Sequence, residues 1–176
     1  MKNEKLQEII SPEEIDKRIE QLAKEIDDCY NGESIVLVCV LKGACVFFVD
    51  LARKLKNKSV EFDFVRISGY GNNDVFSGKI TFSKDLEIDI NNKNVLVVED
   101  IVDTGNSMRF FLDELLKRNP KTLRLAALID NPERREIDVH VDFLGFKVEK
   151  GFLVGYGLDY AEKYRSLPSI NEIIFE

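Results

Sequence analysis

A run of acidic side chains follows one of the most apolar stretches of the chain. Residues 95–98 are all aliphatic, and Glu99, Asp100 and Asp103 come within the next five positions. Adjacent carboxylates that leave a buried strand are costly to fold unless they face water, a metal ion or hydroxyl groups. The spacing therefore predicts a site for a hydroxylated ligand, with a divalent cation as a candidate partner.

Small and hydroxyl-bearing residues continue this run. Thr104, Gly105, Asn106 and Ser107 stand immediately before a stretch whose apolar residues have helical spacing. Gly105 would allow backbone N–H groups to converge at the helix start, where anions bind. The whole run predicts a ligand with a phosphate at one end and sugar hydroxyls at the other. A solvated turn is the alternative, but three acids and Thr-Gly-x-Ser after a hydrophobic strand argue against it.

Several other kinds of site do not fit the sequence. No G-x-x-x-x-G-K-[ST] motif occurs, and no glycine pair is completed to G-x-G-x-x-G. The three cysteines form no C-x-x-C pair and His140 is the only histidine, so zinc sites, disulfide frameworks and histidine-dependent triads are not expected. We expect His140 to be a solvent-facing strand residue. The net charge of −7 opposes non-specific attraction to nucleic acid.

The elements that position the acidic run alternate between strand and helix. The motif SPEE at residues 11–14 is typical of a capped helix start, and apolar spacing predicts a helix over residues 12–29. Further helices are expected at residues 44–56 and from Met108 to near Asn119. Strands are expected at residues 35–41, 60–67, 95–98, 123–129, 139–148, 152–154 and 173–175. This alternation predicts an α/β fold with a mostly parallel twisted sheet and flanking helices on both faces.

The length and composition suit one domain of residues 1–176. With 176 residues and 44% apolar content, the chain can bury a sizeable core. No stretch has the features of a signal peptide, and no apolar run approaches the roughly 20 residues that span a bilayer. We therefore expect a cytoplasmic protein without membrane contact.

Residues 68–79 are rich in glycine and asparagine, which fits either a lid or a mobile hairpin tip.

Four segments resemble the hypoxanthine-guanine phosphoribosyltransferases, in the order in which that family has them. Residues 95–108, VLVVEDIVDTGNSM, resemble the family's signature for binding phosphoribosyl pyrophosphate, PRPP. Residues 41–44, LKGA, resemble its pyrophosphate loop, and residues 68–71, SGYG, resemble its mobile catalytic loop. Residues 141–165, with DFLGF and VGYGLDY, resemble its purine-binding hood and C-terminal part. The resemblance implies a type I phosphoribosyltransferase fold with a small purine-binding hood.

The resemblance also implies roles for individual residues. Asp103 would be the catalytic base near purine N7, and Mg²⁺ would be bound by Glu99, Asp100 and Asp159, directly or through water. PRPP would be bound by Glu99, Asp100, Asp103, Thr104, Gly105, Asn106 and Ser107, with the first two on the ribose hydroxyls. Pyrophosphate would be bound by Leu41, Lys42, Gly43 and Arg165, with a non-proline cis peptide between Leu41 and Lys42. The mobile loop would include Ser68, Gly69 and Tyr70, and the purine would contact Asn131, Phe152, Leu153 and Asp159.

Two positions depart from the family pattern. Gly69 stands where the mobile loop usually has Ser before Tyr, so a hydroxyl over pyrophosphate is missing unless Ser68 replaces it. Asn131 stands where relatives with Asp-Lys-Pro-Glu-Arg-Arg carry a lysine that contacts the exocyclic oxygen of the purine. The first departure bears on lid closure, and the second on the choice of base.

The activity implied by the resemblance is the magnesium-dependent transfer of a phosphoribosyl group from PRPP to a 6-oxopurine, by a homodimer or homotetramer. Two other functions stay open. One is a transferase for another base, such as xanthine or adenine. The other is an RNA-binding regulator of the same fold, which would need a basic face that the net charge of −7 argues against.

Overall fold

The structure is a computed structural model that describes residues 4–69, 80–149 and 151–175. Its helices are α1 (Pro12–Tyr30), α2 (Cys45–Lys54) and α3 (Asn106–Leu116), and a 3₁₀ turn covers Pro132–Arg134. Its strands are β1 (Glu4–Ile10), β2 (Ile35–Val40), β3 (Val60–Gly69), β4 (Ile80–Lys84), β5 (Asn94–Val102), β6 (Thr122–Asp130), β7 (Phe143–Lys147), β8 (Leu153–Val154) and β9 (Ile170–Phe175). Within these ranges, no helix is both long and apolar enough to cross a membrane.

The strands form two sheets. The main sheet has the order β4-β3-β2-β5-β6-β7, and all of its neighbouring strands are parallel except the pair β3 and β4. The second sheet is antiparallel and has the order β1-β9-β8. The main sheet is mostly parallel and helices pack on both of its faces, so the predicted α/β fold is confirmed.

Burial explains why the central strands are continuous apolar runs. Every residue of β2 is buried. Its odd-numbered residues join the core cluster that contains residues of α1 and α2, whereas its even-numbered residues join the cluster that contains Phe111 and Leu115 of α3. Successive residues of a strand point to opposite faces, so a strand between two helix layers is apolar at every position.

The start of α1 has the geometry that its sequence predicts. The Ser11 hydroxyl accepts a hydrogen bond from the Glu14 amide at 3.3 Å, and the Ser11 amide donates to the Glu14 carboxylate at 2.9 Å. This reciprocal capping box satisfies two N–H groups that the helix cannot bond itself. The helix ends at Tyr30, one residue beyond the prediction, because Asn31 adopts a left-handed conformation with φ of 47°.

Two predicted strand ends were wrong, and both errors bear on the site. The strand predicted to end at Val98 continues to Val102, because Ile101 pairs in register with Ile129 of β6. Glu99 and Asp100 are therefore strand residues rather than loop residues. Similarly, β3 continues through Ser68 and Gly69, since these two residues pair with β4. The rest of the predicted loop, residues 70–79, lies outside the described part of the chain.

Other boundaries also differ from the predictions. Strands β1 and β4 were not predicted. They lie at sheet edges, and of the residues in β1 only Ile10 is buried, so β1 lacks an alternating apolar pattern. His140 is solvent-facing as predicted, with 84% of its side chain exposed, but it precedes strand β7 rather than belonging to it. Helix α2 is shorter at both ends than residues 44–56, and α3 begins at Asn106.

Candidate functional site

Strand β5 carries two adjacent carboxylates to the carboxyl-end edge of the main sheet. Glu99 is buried, and its Oε1 accepts a hydrogen bond from the Asp100 amide at 3.0 Å. Burial, reinforced by the neighbouring Asp100 carboxylate, raises the pKa of Glu99 well above its usual range. A cation or a group of hydroxyls beside this pair would relieve the cost of its ionisation.

The loop after β2 packs directly on Asp100. A Cβ atom on Gly43 would lie 1.6 Å from Asp100 Oδ2, so only glycine permits this approach. On the other side, a Cβ atom on Gly157 would lie 2.0 Å from the Gly43 carbonyl oxygen. The peptide between Leu41 and Lys42 is cis, as the resemblance implied. The loop of residues 41–43 is therefore held between the end of β5 and the segment around Gly157.

Two cations converge on one carboxylate beside this loop. Lys42 Nζ lies 3.0 Å from Glu162 Oε1, and Arg165 Nη2 lies 3.2 Å from Glu162 Oε2. Arg165 Nη2 also lies 2.7 Å from Asp159 Oδ1, and its Nη1 donates to the Gly157 carbonyl at 2.8 Å. Hydrogen bonds from Lys42 and then Arg165 lower the pKa of Glu162. Lys42 and Arg165 are thus placed to bind one anionic group together.

Asp103 lies just beyond the end of β5, with its two carboxylate oxygens in different surroundings. Its Oδ2 pairs with Arg134 Nη1 at 2.9 Å, whereas its Oδ1 is buried and has no hydrogen-bond partner within the described ranges. Burial raises the pKa of Asp103, although the charges of Arg134 and Arg135 oppose this effect. A partly exposed carboxylate with a raised pKa can accept a proton from a bound ligand.

The residues after Asp103 form a small pocket at the start of α3. The cavity measures about 140 Å³. It is lined by Glu99, Ile101, Val102, Asp103, Thr104, Gly105, Ser107 and Met108. Gly105, with φ of +87°, is the residue before α3, and it gives the helix no side-chain cap. A helix start without a side-chain cap leaves backbone N–H groups for an anion, as the sequence predicted.

The purine-side residues occupy two places. Asn131 is buried beside the end of β5, where its backbone N–H donates to the Val102 carbonyl at 3.0 Å. Its side-chain Oδ1 has no partner in the part of the chain described. Phe152 is 44% exposed, and its ring packs edge-on against Tyr160 with a centroid distance of 5.4 Å. Leu153 is buried in β8. An exposed ring held at its edge has a face available for stacking.

The predicted metal ligands Glu99, Asp100 and Asp159 are not grouped together in the structure. Among the residues that the structure describes, no three His, Cys, Asp or Glu side chains converge to hold a metal ion. Asp159 is paired with Arg165 rather than grouped with Glu99 and Asp100. Mg²⁺ commonly takes one or two protein carboxylates and completes its shell with water and substrate phosphates, so the acidic pair of β5 still fits it. Tyr70 lies outside the described residues.

Two arginines at the site were missed by the sequence-based prediction. Arg134 pairs with Asp103, and Arg135 donates from Nε to the Asp103 carbonyl at 2.9 Å. Both follow β6 in the chain and return to the end of β5 only because these strands are neighbours. The consecutive arginines after Asn131-Pro132 were the available signal, but nothing in their spacing identifies a partner.

The phosphoribosyl transferase domain family matches residues 7–161 of the chain. The hypoxanthine phosphoribosyltransferase of Buchnera aphidicola is 44% identical over 170 residues, which are 96% of this chain and 96% of that protein. The chain belongs to the hypoxanthine-guanine phosphoribosyltransferase family. The Escherichia coli hypoxanthine phosphoribosyltransferase is 42% identical over 95% of both chains. A crystal structure of a hypoxanthine-guanine phosphoribosyltransferase from Bacillus anthracis, with HEPES in its active site, has a TM-score of 0.91 at 42% identity and covers 96% of this chain and 98% of its own.

Membership of the hypoxanthine-guanine phosphoribosyltransferase family confirms the resemblance seen in the sequence. The match extends over the loop at residues 41–43, the acidic run of β5 and the segment that carries Phe152. The first two of these segments meet at the end of β5, where Gly43 packs against Asp100. The individual residue roles stay predictions.

Proposed function

We propose that this protein transfers the 5-phosphoribosyl group of PRPP to hypoxanthine, and also to guanine, giving IMP or GMP and pyrophosphate in purine salvage. The observation that carries the proposal is the end of β5. There the buried Glu99, the half-buried Asp100 and Asp103, and the uncapped start of α3 follow one another, and the loop with the cis peptide packs against Asp100. This order suits a ligand with a phosphate, a ribose and a pyrophosphate.

The proposed reaction breaks the bond between C1 of the ribose and the pyrophosphate oxygen. The leaving group departs with the bonding electrons, the ribose acquires oxocarbenium character, and a purine nitrogen attacks C1 from the opposite face. Glu99 and Asp100 place negative charge near the developing cation. Lys42 and Arg165, which already share one carboxylate, would bind the departing pyrophosphate.

Mg²⁺ fits the carboxylate pair of β5 and would neutralise charge on the pyrophosphate. Because Glu99 is buried beside Asp100, its ionised form needs a cation or hydroxyl donors nearby. Asp159, which lies beside Arg165, would bind the cation through water or contact the purine base. The chain's own residues therefore provide an incomplete cation site that the substrate would complete.

Asp103 would accept the proton that the purine loses as it becomes a nucleotide. The Asp103 carboxylate would be the acceptor, with Arg134 beside Oδ2 and the buried Oδ1 turned away from solvent. Phe152 would stack on the purine, the backbone of Leu153 would meet its edge, and Asn131 would face its exocyclic oxygen. A neutral asparagine at this position gives weaker selection for an oxo group than a lysine, since charge-assisted hydrogen bonds are about twice as strong as neutral ones.

A lid formed by residues 68–79 would exclude water, which would otherwise hydrolyse PRPP. The first two residues of this segment, Ser68 and Gly69, belong to β3 and pair with β4, and residues 70–79 lie outside the described residues. Hydrogen exchange over residues 70–79, measured without ligand and with PRPP and a base analogue bound together, tests this proposal; equal protection in both states would contradict it. We further propose that the chain works as a single domain in the cytoplasm, as a homodimer or homotetramer.

Transfer to xanthine or adenine is the second candidate function. It is favoured by one observation, the buried Asn131 whose Oδ1 has no partner among the described residues. An asparagine amide can present either a donor or an acceptor, so it can pair with an oxo or an amino group. No comparable feature favours an RNA-binding regulator.

A PRPP-dependent assay with four bases tests the proposal. Hypoxanthine, guanine, xanthine and adenine are each incubated with PRPP, with and without Mg²⁺, and the nucleotide and pyrophosphate are quantified. We expect equal amounts of nucleotide and pyrophosphate with hypoxanthine and guanine, only when Mg²⁺ is present. Turnover of adenine or xanthine alone would replace the proposed substrates, and no turnover with any base would overturn the activity.

A further inference from the structure

Arg135 connects three separate parts of the chain through one nearly buried side chain. Its guanidinium donates from Nη2 to the Val102 carbonyl at 3.1 Å, and from Nε to the Asp103 carbonyl at 2.9 Å. From Nη1 it donates to the Val139 carbonyl at 3.2 Å, and it is ion-paired with Asp130. Only 15% of the side chain is exposed. One guanidinium therefore holds the end of β5, the end of β6 and the segment before β7.

The residues after Arg135 extend this contact along residues 103–107, the segment predicted to hold the 5-phosphate and called the phosphate loop below. The amides of Glu136 and Ile137 both donate to the Thr104 carbonyl, at 2.9 and 3.0 Å. Asn106 Nδ2 donates to Glu136 Oε2 at 2.6 Å. A Cβ atom on Gly105 would lie 2.2 Å from the Ile137 carbonyl oxygen. The phosphate loop thus has backbone anchors in addition to the Arg135 side chain.

We propose that Arg135 is a positioning residue for the transfer reaction: it fixes the backbone of Asp103 at a set distance from Asn131, at the neighbouring strand end. This inference rests on the proposed function, in which Asp103 accepts the proton and Asn131 faces the base. Asp130 and Asn131 are consecutive, so the ion pair with Asp130 ties the guanidinium to the purine side. The carbonyls of Val102 and Asp103 tie it to the proton acceptor.

The shape of the guanidinium is essential to this role. Its planar fork presents several N–H donors in fixed directions, whereas a lysine ammonium acts as a point charge on a flexible stem. Arg135→Lys keeps the charge beside Asp130 but cannot reach all of the carbonyls at once. The resulting displacement of Asp103 affects catalysis steeply, because an error of about 1 Å in a reacting group can cost roughly 100-fold in rate.

Arg18 offers a matched control elsewhere in the fold. It donates to the Leu144 carbonyl at 2.6 Å and to the Gly145 carbonyl at 3.1 Å, and it pairs with Glu25 at 2.7 Å. Its side chain is 24% exposed. Arg18 therefore also joins two elements through main-chain carbonyls and a carboxylate, but it joins α1 to β7 rather than the two strand ends of the site.

The test compares Arg135→Lys, Arg18→Lys and the unchanged protein by steady-state kinetics with hypoxanthine and PRPP, corrected for the folded fraction. For Arg135→Lys we expect kcat/KM for hypoxanthine to fall roughly 10- to 100-fold, while KM for PRPP changes by less than about threefold. Arg18→Lys should lose thermal stability but keep both constants. Asp130→Asn, which weakens one anchor only, should give a smaller loss in the same direction.

The outcomes separate the inference from the activity on which it rests. If the unchanged protein forms no nucleotide from PRPP and any of the four bases, the proposed function fails, and this inference fails with it. If the unchanged protein is active and both Arg135→Lys and Asp130→Asn match Arg18→Lys in kcat/KM per folded enzyme, Arg135 is merely structural and the inference is wrong. If Arg135→Lys does not fold, Asp130→Asn alone decides.

Discussion

The two oxygens of Asp103 differ in their partners, and this asymmetry is the feature of the site most open to test by single substitutions. Arg134 holds Oδ2, whereas Oδ1 is buried without a partner in the described ranges. Burial raises the pKa of the Asp103 carboxyl. The charge of Arg134 lowers this pKa more than the charge of Arg135 does, and the charge of Glu136 raises it. Arg134 therefore keeps the proton acceptor ionised at a lower pH than burial alone would allow.

Arg134→Ala should shift the acidic limb of the kcat profile to higher pH. Removing the guanidinium removes an interaction with the ionised form, so the pKa of Asp103 rises further and the deprotonated base appears only at higher pH. The measurement is kcat for hypoxanthine as a function of pH. Arg118→Ala, which removes an arginine paired with Asp85, is the control. Coincident acidic limbs for Arg134→Ala and the unchanged protein would mean that Arg134 does not act on the base.

Asn131→Lys should lower KM for hypoxanthine by roughly tenfold, which is about 1.4 kcal/mol. The lysine would replace a neutral hydrogen bond to the exocyclic oxygen with a charge-assisted one. KM for PRPP should hardly change. Asn131→Ala is the control, and its KM for hypoxanthine should be no lower than that of the unchanged protein. An unaltered or higher KM in Asn131→Lys would show that this side chain does not face the base.

At the scale of single elements, β5 combines structural and chemical requirements that conflict. Residues 95–98 are buried and apolar, but Glu99 and Asp100 follow them in the same strand, at the end that faces the site. Burial raises the pKa of Glu99, so the folded protein binds its proton more tightly than the unfolded chain does. Stability therefore falls as pH rises from the ordinary pKa of glutamate through the raised one.

Glu99→Gln should stabilise the ligand-free protein at neutral pH and lower its activity. Glutamine cannot ionise, so the cost of burying the carboxyl disappears, and a gain of about 1 kcal/mol would raise Tm by roughly 2–4 °C in a domain of this size. Near pH 4 the two proteins should melt together, since the carboxyl is then protonated in both states. Thermal melts across this pH range check the prediction, with the exposed Glu87→Gln as control. A lower Tm for Glu99→Gln at neutral pH would contradict it.

The segment after β8 places Glu162 where Lys42 and Arg165 meet. This carboxylate occupies the position that we assign to pyrophosphate, so the two compete. Glu162→Gln should lower KM for PRPP, because the two cations are then free for pyrophosphate, and the change should stay within about fivefold because exposed ion pairs are weak. The control is Glu149→Gln, another exposed glutamate with a lysine partner. A KM for PRPP that rises in Glu162→Gln would mean that the glutamate helps to hold the cations in place.

At the scale of the whole molecule, the sequence predicted those features that are determined by residues close together in the chain. The capping box of α1 and the apolar run of β2 gave those elements almost to the residue. Glu99, Asp100, Asp103 and Gly105 could be singled out from the sequence because they lie in one continuous run, and their roles stay predictions. By contrast, the extension of β5 to Val102 depends on pairing with β6, which no local pattern encodes.

The features that the sequence did not predict are made by contacts distant in the chain. Arg134 and Arg135 reach Asp103 only because β6 lies beside β5. Edge strand β1 is paired by β9, from the other end of the chain, and has little apolar pattern of its own. The shared anchoring of Lys42 and Arg165 on Glu162 likewise depends on the fold. Sequence motifs therefore indicated which residues could take part in the chemistry, and the fold determined which other residues contact them.

The most direct test of the account is IMP formation from hypoxanthine and PRPP by the unchanged protein and by Asp103→Asn. We predict Mg²⁺-dependent IMP formation by the unchanged protein. In Asp103→Asn, kcat should be lower by about 10²–10⁴-fold, as expected for loss of a general base. PRPP binding measured by calorimetry should be largely preserved, because the remaining residues of the phosphate loop are intact. Equal kcat in the two proteins, or no PRPP-dependent IMP from either, would contradict the account.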